Sequence, residues 1–206
     1  MTVHPEERLK PEAEDASRRA LILASASPRR RELLARLGVA PARVVAADID
    51  ETPRTGELPR VYAARMARGK AAAAAGDGAF VLAGDTVVAA GRRILPKVED
   101  EATARACLEL LSGRRHRVLS AIALRAPDGT VRERLSETQV RFKRLSEQEI
   151  AAYLAGGEWH GKAGGYAIQG AAEGLIAWIA GSHSGVVGLP LFETRALLRA
   201  AGFAIP

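Results

Sequence analysis

The chain of 206 residues has a single cysteine, Cys107, so no disulfide bond can form within it. Cys107 lies in an apolar helical pattern between Ala104 and Leu108, where we expect a small buried residue rather than a reactive thiol. Aromatic residues make up only 4% of the chain and hydrophobic residues 48%, so the core has to be built from Ala, Val, Leu and Ile. A soluble chain of this length buries on the order of 70% of its unfolded surface.

Long apolar runs and metal-ligand spacings are also missing. No apolar segment approaches the roughly 18 residues of a membrane-spanning helix, and the N-terminal region is charged rather than signal-like. We therefore expect a cytoplasmic protein with no membrane association. The four histidines, His4, His116, His160 and His183, do not have the spacing of metal ligands. The sequence also has no nucleophile elbow of the kind that carries a serine–histidine–aspartate triad.

The formal net charge of +6 is unevenly distributed along the chain. Residues 1–19 carry four basic against five acidic side chains and show no periodicity, so we expect a disordered N-terminal extension. Residues 20–206, expected to form a single domain, carry the whole basic excess. Such a domain suits a phosphate-rich ligand, although a basic surface alone can also indicate weak nucleic-acid association. We expect no nucleic-acid partner, because no aromatic platform is interleaved with the arginines.

Apolar runs alternate with helical patterns in the order typical of an α/β fold. Strands are predicted at 21–25, 43–47, 80–83, 87–90, 93–95, 117–125, 130–142 and 175–180. Helices are predicted at 28–37, 59–75, 100–111, 146–154 and 190–201. This order predicts a mixed, twisted sheet with flanking helices, folded as two lobes around a central groove.

The junction between the first strand and the first helix is densely basic. Ser27 is a suitable N-cap, and Pro28 suits the first helical position. The free N–H groups of a helix start form an anion site. Yet Arg29, Arg30 and Arg31 fall in the first turn, where positive charge opposes the helix dipole. A bound polyphosphate would remove this conflict; a solvated basic turn is the alternative.

Acidic side chains follow two of the predicted strands. Asp48, Asp50 and Glu51 follow the second, where alternate acids could share one face of a Mg²⁺ site or stay exposed in a loop. Asp85 follows the third, at a position where α/β folds place ligand-binding carboxylates. An aspartate that caps a turn is the competing interpretation.

Residues 161–170 form a glycine-rich segment that contains Gln169. Its glycines allow backbone to approach a ligand closely. The Gln169 amide can pair with a carbonyl and a ring N–H at once, which is the edge that uracil and thymine present. A flexible loop with an incidental glutamine is the alternative.

Together these residues resemble the Maf family. The resemblance extends from about Ala20 to the C-terminus, and its motifs occur in the family's order. They are Ser25-Ala26-Ser27-Pro28-Arg29-Arg30, Asp50-Glu51, Ala64-Arg65 through Gly69-Lys70-Ala71, Gly84-Asp85-Thr86-Val87, Lys97, Lys162-Ala163-Gly164-Gly165-Tyr166 with Ile168-Gln169-Gly170, and Val187-Gly188-Leu189-Pro190-Leu191.

The resemblance implies a nucleotide hydrolase. Maf proteins are nucleoside triphosphate pyrophosphatases whose α/β groove fold is similar to that of inosine triphosphate pyrophosphatases. The segment around Gln169 resembles the dTTP/UTP branch, which implies cleavage between the α and β phosphates to a monophosphate and pyrophosphate, a house-cleaning activity. The alternatives are a nucleotide-binding regulator of septum formation that acts through a protein partner, and a pyrophosphatase for other or modified nucleotides such as 7-methyl-GTP.

The resemblance also implies roles for nine side chains in binding and cleaving a nucleoside triphosphate. It leaves the oligomeric state open, a homodimer included. The implied roles are catalysis by Asp85, Glu51 and Lys97; divalent-metal binding (Mg²⁺ or Mn²⁺) by Glu51 and Asp85; phosphate binding by Ser27, Arg30 and Lys70; and base specificity from Arg29, Thr86 and Gln169.

Overall fold

The computed structural model describes residues 19–76 and 78–205, so the extension predicted at residues 1–19 lies almost wholly outside the described residues. The strands are β1 (Leu21–Ala24), β2 (Arg43–Val45), β3 (Phe80–Ala90), β4 (Arg93–Leu95), β5 (Lys97–Val98), β6 (Arg115–Arg125), β7 (Val131–Phe142), β8 (Lys162–Ala163) and β9 (Ile176–Ala180). The helices are α1 (Pro28–Ala35), α2 (Pro59–Ala73), α3 (Glu101–Leu111), α4 (Glu147–Ala155), α5 (His183–Val187) and α6 (Leu191–Ala200), with a 3₁₀ turn at Ala171–Leu175.

The main sheet has the strand order β2-β1-β3-β6-β7-β9, with β4 paired to β3. Strand β1 is parallel to both β2 and β3, whereas β6, β7, β9 and β4 are joined by antiparallel pairing. Strands β5 and β8 form a separate antiparallel ribbon. The predicted mixed α/β sheet with flanking helices is confirmed.

Strand β3 differs from its prediction. The sequence predicts two strands interrupted at Asp85, whereas β6 pairs with β3 in unbroken register from Val81 to Ala89. Asp85 therefore lies inside a strand and not at a strand exit. Strand β1 stops at Ala24, whose partner is Ala83, so Asp85 still lies just beyond the carboxyl end of β1. That edge is where open α/β sheets bind ligands.

The core is divided between the two faces of the sheet and a third region. Met66 of α2 packs on one face, and Leu33 of α1 with Leu198 of α6 packs on the other. Phe142 and Cys107 belong to the third region, between α3, α4 and the ends of β6 and β7. Burial raises the pKa of the Cys107 thiol, which agrees with the expected inert residue. No helix in residues 19–76 and 78–205 is long and apolar enough to cross a membrane.

Candidate active site

A groove of about 540 Å³ opens where β1 passes into α1, with β3 as its floor. The β5–β8 ribbon and the segments 166–169 and 186–188 complete its walls. The groove brings together all nine side chains to which the family resemblance assigns a role in the site. These are Ser27, Arg29, Arg30, Glu51, Lys70, Asp85, Thr86, Lys97 and Gln169.

Two carboxylates and two lysines form a linked cluster at one end of the groove. Lys70 Nζ lies 2.7 Å from Asp85 Oδ1 and 2.8 Å from Glu51 Oε1. Lys97 Nζ lies 2.9 Å from Glu51 Oε2. The side chains of Asp85 and Lys70 are 7% and 9% exposed, whereas those of Glu51 and Lys97 are 35% and 57% exposed. The cluster thus runs from a buried floor to a solvent-facing rim.

Glu51 is held in its charged form by this arrangement. Burial acts to raise the pKa of its carboxyl group, but the hydrogen bonds from Lys70 and Lys97 outweigh burial and lower it. The Tyr62 hydroxyl donates to the Glu51 backbone carbonyl at 2.7 Å. Burial raises the pKa of Tyr62 to about 12, so this hydroxyl keeps its proton and remains a donor.

The other two acids of the predicted metal segment lie outside the groove. Asp48 and Asp50 are exposed, and the Asp50 carboxylate accepts a hydrogen bond from the Thr52 N–H at 2.9 Å. Among the described residues, no group of three His, Cys, Asp or Glu side chains is arranged to hold a metal. Of the two interpretations of this segment, the exposed loop holds for Asp48 and Asp50, and Glu51 is the one of the three acids that lines the groove.

Arg30 is bound by the protein itself. Its Nε donates to the Gly188 carbonyl at 2.8 Å, its Nη1 to Ser25 Oγ at 3.1 Å, and its Nη2 to Thr86 Oγ1 at 3.4 Å. A Cβ atom on Gly84 would lie 3.4 Å from Arg30 Nε, so the glycine gives this guanidinium room to lie over β3. Arg30 therefore ties α1 to β3 and to the loop after α5, and two of its five N–H groups have no acceptor among the described residues.

Replacing Arg30 with methionine is expected to lower the free energy of unfolding by about 3 kcal/mol, because three acceptors lose a charged donor. Urea unfolding followed by circular dichroism measures the loss. Arg31→Met is the matched control, because Arg31 is the exposed neighbour in the same helix. Equal effects of the two substitutions would show that Arg30 has no special structural role.

The first turn of α1 differs in one respect from its prediction. Ser27 occupies the N-cap position, but its side chain makes no capping hydrogen bond. Its backbone N–H instead donates to Ser25 Oγ at 3.2 Å. Arg29 is half-buried on the groove wall, and burial lowers the pKa of its guanidinium, which remains charged as arginines do. Ser27 and Arg29 both line the groove, and the Ser27 hydroxyl is not engaged in capping α1.

Gln169 is exposed at the end of an otherwise buried segment. The Tyr153 hydroxyl of α4 accepts a hydrogen bond from the Ala167 N–H at 3.1 Å. The Tyr166 hydroxyl lies 2.7 Å from Nε2 of His116, a residue of β6 that is 2% exposed. The loop in front of Gln169 is therefore anchored at two consecutive residues, and the alternative of a merely flexible loop is not supported.

The buried His116 predicts a pH dependence of stability. Burial lowers its pKa from 6.5 to about 4, so the unfolded chain binds a proton more readily than the folded one between these values. The free energy of unfolding should be intact above pH 6.5 and fall toward pH 4 by at most on the order of 3 kcal/mol. Urea unfolding at pH 7 and pH 4.5 measures this loss. A His116→Phe variant should lose less free energy of unfolding between pH 7 and pH 4.5 than the parent. An equal loss in the two proteins would show that His116 does not cause the pH dependence.

Residues 20–201 match the family model described as Maf-like protein. The chain belongs to the Maf family. This confirms the resemblance drawn from the strand–helix junction, the Gly84–Val87 segment and the glycine-rich loop.

Relatives of this Maf protein match it over nearly its whole length. A dTTP/UTP pyrophosphatase of Novosphingobium aromaticivorans is 71% identical over 187 residues, which are 90% of this chain and 93% of the relative. A dTTP/UTP pyrophosphatase of Rhodospirillum rubrum is 61% identical over 202 residues, which are 97% of this chain and 96% of the relative.

Solved structures give a weaker similarity. The nucleoside-triphosphatase / dITP/XTP pyrophosphatase of Mycobacterium abscessus is 21% identical, with a TM-score of 0.39 over 61% of this chain and 74% of that chain. The Ham1 protein of Staphylococcus aureus is 16% identical, with a TM-score of 0.39 over 60% of this chain and 72% of that chain. Similarity at this level decides nothing about the Maf groove.

Sequence reasoning missed several residues that shape the Maf groove. Ser120 Oγ lies 2.9 Å from Thr86 Oγ1, and its one signal was a polar residue inside the apolar run of β6. Tyr62, Tyr153 and His116 gave no signal, because each supports the groove through a partner remote in sequence.

Proposed function

We propose that this Maf protein hydrolyses dTTP and UTP between the α and β phosphates and releases a nucleoside monophosphate and pyrophosphate. The observation that carries the proposal is the pair of carboxylates, Glu51 and Asp85, that converge on Lys70 at the end of a cationic groove. The activity in the names of the relatives, 71% and 61% identical over at least 90% of this chain, supports the same chemistry. A regulator of septum formation is not favoured, because a binding module needs no such cluster.

The donor set fits a divalent cation that is shared with the substrate. Glu51 and Asp85 each place a carboxylate oxygen within 2.8 Å of one point, the Lys70 ammonium, which shows that both oxygens can face a single positive charge. Mg²⁺ is commonly held by one or two carboxylates together with substrate phosphates. Glu51 and Asp85 would hold Mg²⁺ or Mn²⁺, which supplies charge neutralisation on the phosphates and lowers the pKa of a bound water.

Asp85 is proposed as the general base. Lys70 occupies Asp85 Oδ1, whereas Oδ2 makes no hydrogen bond within the described residues and can accept a proton. A water oxygen forms a bond to the α phosphorus while its proton passes to Asp85. The bond between the α phosphorus and the bridging oxygen breaks, and the electron pair leaves with pyrophosphate. Lys70 and Lys97 stabilise the negative charge that moves onto the leaving group.

The remaining side chains are proposed to bind the two ends of the nucleotide. The start of α1, with Ser27 and the free N–H groups of Arg30, would bind phosphate oxygens. Gln169, Thr86 and Arg29 would contact the base. The single domain at residues 20–206, the cytoplasmic location and the absence of nucleic-acid and membrane partners stay predictions of the sequence, and the oligomeric state stays open, a homodimer included.

An endpoint screen of nucleoside triphosphates tests this function. Each of dTTP, UTP, dCTP, CTP, ATP, GTP and 7-methyl-GTP is incubated with the protein and Mg²⁺, and pyrophosphate is separated from orthophosphate. We expect pyrophosphate from dTTP and UTP first, and its loss when a chelator removes the metal. Orthophosphate as the first product would refute α–β cleavage, and a preference for 7-methyl-GTP would refute the pyrimidine assignment.

A further inference from the structure

The segment in front of Gln169 is built into the protein unusually firmly for a loop. Residues 164–168 are buried although they belong to no helix or strand. The Ala167 N–H donates to the Tyr153 hydroxyl at 3.1 Å, and the Tyr166 hydroxyl bonds with His116 Nε2 at 2.7 Å. Three residues of this short stretch, Tyr166, Ala167 and Ile168, line the groove directly before Gln169.

The pair of His116 and Tyr166 is not explained by stability. His116 Nδ1 is buried and makes no hydrogen bond among the described residues. If Tyr166 donates to Nε2, the N–H at Nδ1 has no acceptor. If Nε2 donates instead, no acceptor remains for the Tyr166 hydroxyl proton. Either arrangement leaves a buried polar group unsatisfied, a cost that two apolar side chains of the same shape would avoid.

We propose that Tyr153 and the His116–Tyr166 pair are positioning residues for base selectivity, which they control by fixing the backbone before Gln169. The inference rests on the proposed function, because it assigns base recognition to Gln169. An amide that discriminates hydrogen-bond donors from acceptors needs a fixed position, since an error of about 1 Å can cost up to about 10²-fold. The Tyr153 hydroxyl, from α4, and the His116 ring, from β6, fix this position by holding Ala167 and Tyr166.

A third tyrosine provides a matched comparison at the other end of the groove. The Tyr62 hydroxyl holds the backbone carbonyl of Glu51 at 2.7 Å, so it supports the acidic cluster rather than the loop of Gln169. All three tyrosines can be changed to phenylalanine, which removes one oxygen and keeps the ring. The same chemical change at two ends of one groove should therefore give two different kinetic effects.

The experiment measures kcat/KM of the full-length protein with UTP and with CTP in the three phenylalanine variants. Tyr153→Phe and Tyr166→Phe should each lower the UTP-to-CTP ratio, that is kcat/KM with UTP divided by kcat/KM with CTP, by about 10-fold. Their kcat with UTP should stay within about threefold of the parent. Tyr62→Phe should lower kcat with UTP and leave the ratio unchanged. Amide hydrogen exchange at Ala167 should become at least about 10-fold faster in Tyr153→Phe, because its acceptor is gone.

A His116→Phe/Tyr166→Phe variant separates positioning from packing. Its free energy of unfolding should be at least as large as that of Tyr166→Phe, because no polar atom of the pair remains buried. Its UTP-to-CTP ratio should still be reduced. A parental ratio in this variant, or in both Tyr153→Phe and Tyr166→Phe, would overturn the inference while hydrolysis of UTP stands. Absence of UTP hydrolysis in the parent protein would instead refute the proposed function.

Discussion

Asp85→Asn is expected to reduce turnover of UTP at least ~10²-fold, the usual scale for loss of a general base. Asparagine keeps the shape of the side chain, but it cannot accept the proton of the attacking water and is a weak ligand for a hard cation. The variant should remain folded, because Lys70 keeps its ion pair with Glu51 at 2.8 Å. Steady-state rates with Mg²⁺ and far-ultraviolet circular dichroism measure the two properties.

Asp48→Asn is the matched control for this result. Asp48 belongs to the same acidic segment as Glu51, but it is exposed and lies outside the groove. Its rate should stay within about twofold of the parent, as expected for a surface substitution away from the site. A rate for Asp85→Asn within a few-fold of the parent would exclude Asp85 as the base.

Hydrolysis of dTTP and UTP should exceed that of dCTP and CTP by about 10²-fold. The Gln169 amide can donate to O4 and accept from N3–H of uracil or thymine. Cytosine presents an amino group and a bare nitrogen at these positions, so the amide has to rotate or lose both hydrogen bonds. Gln169→Ala should reduce this preference more than it slows hydrolysis of UTP. Competition assays with paired substrates measure the preference directly.

Gln139→Ala serves as the control for Gln169→Ala, since Gln139 is exposed on β7 and lies outside the groove. The Gln139→Ala variant should prefer UTP over CTP as strongly as the parent does. Equal rates of the parent protein on UTP and CTP would overturn the assignment of the base and return Gln169 to an incidental loop residue. The pyrophosphatase chemistry at Asp85 and Glu51 would remain.

Much of the fold could be predicted because its signals are local. Pro28 and Pro59 begin α1 and α2, and the turn at Pro127-Asp128-Gly129 joins β6 and β7. The continuity of β3 was missed because Gly84 and Asp85 are poor strand residues by local preference. Pairing with β6 keeps Gly84 and Asp85 within one continuous strand, and that pairing cannot be seen in the sequence of β3 alone.

The members of the candidate site were also accessible from the sequence, whereas their contacts were not. All nine predicted side chains line one groove. The sequence shows Arg30 only as a cation in the first turn of α1, whereas its nearest acceptor, the Gly188 carbonyl, is 158 residues away along the chain. The bridge that Lys70 makes between Glu51 and Asp85 likewise depends on how α2 packs on β3. Short-range patterns identify residue types and cannot give such long-range partners.

Hydrolysis of UTP in ¹⁸O-labelled water tests the central claim most directly. Attack of water at the α phosphorus, as proposed for the cluster of Glu51, Lys70 and Asp85, predicts one labelled oxygen in UMP and none in pyrophosphate. Mass spectrometry of the two products distinguishes this result from attack at another phosphorus. Label in pyrophosphate, or orthophosphate as the first product, would contradict the account.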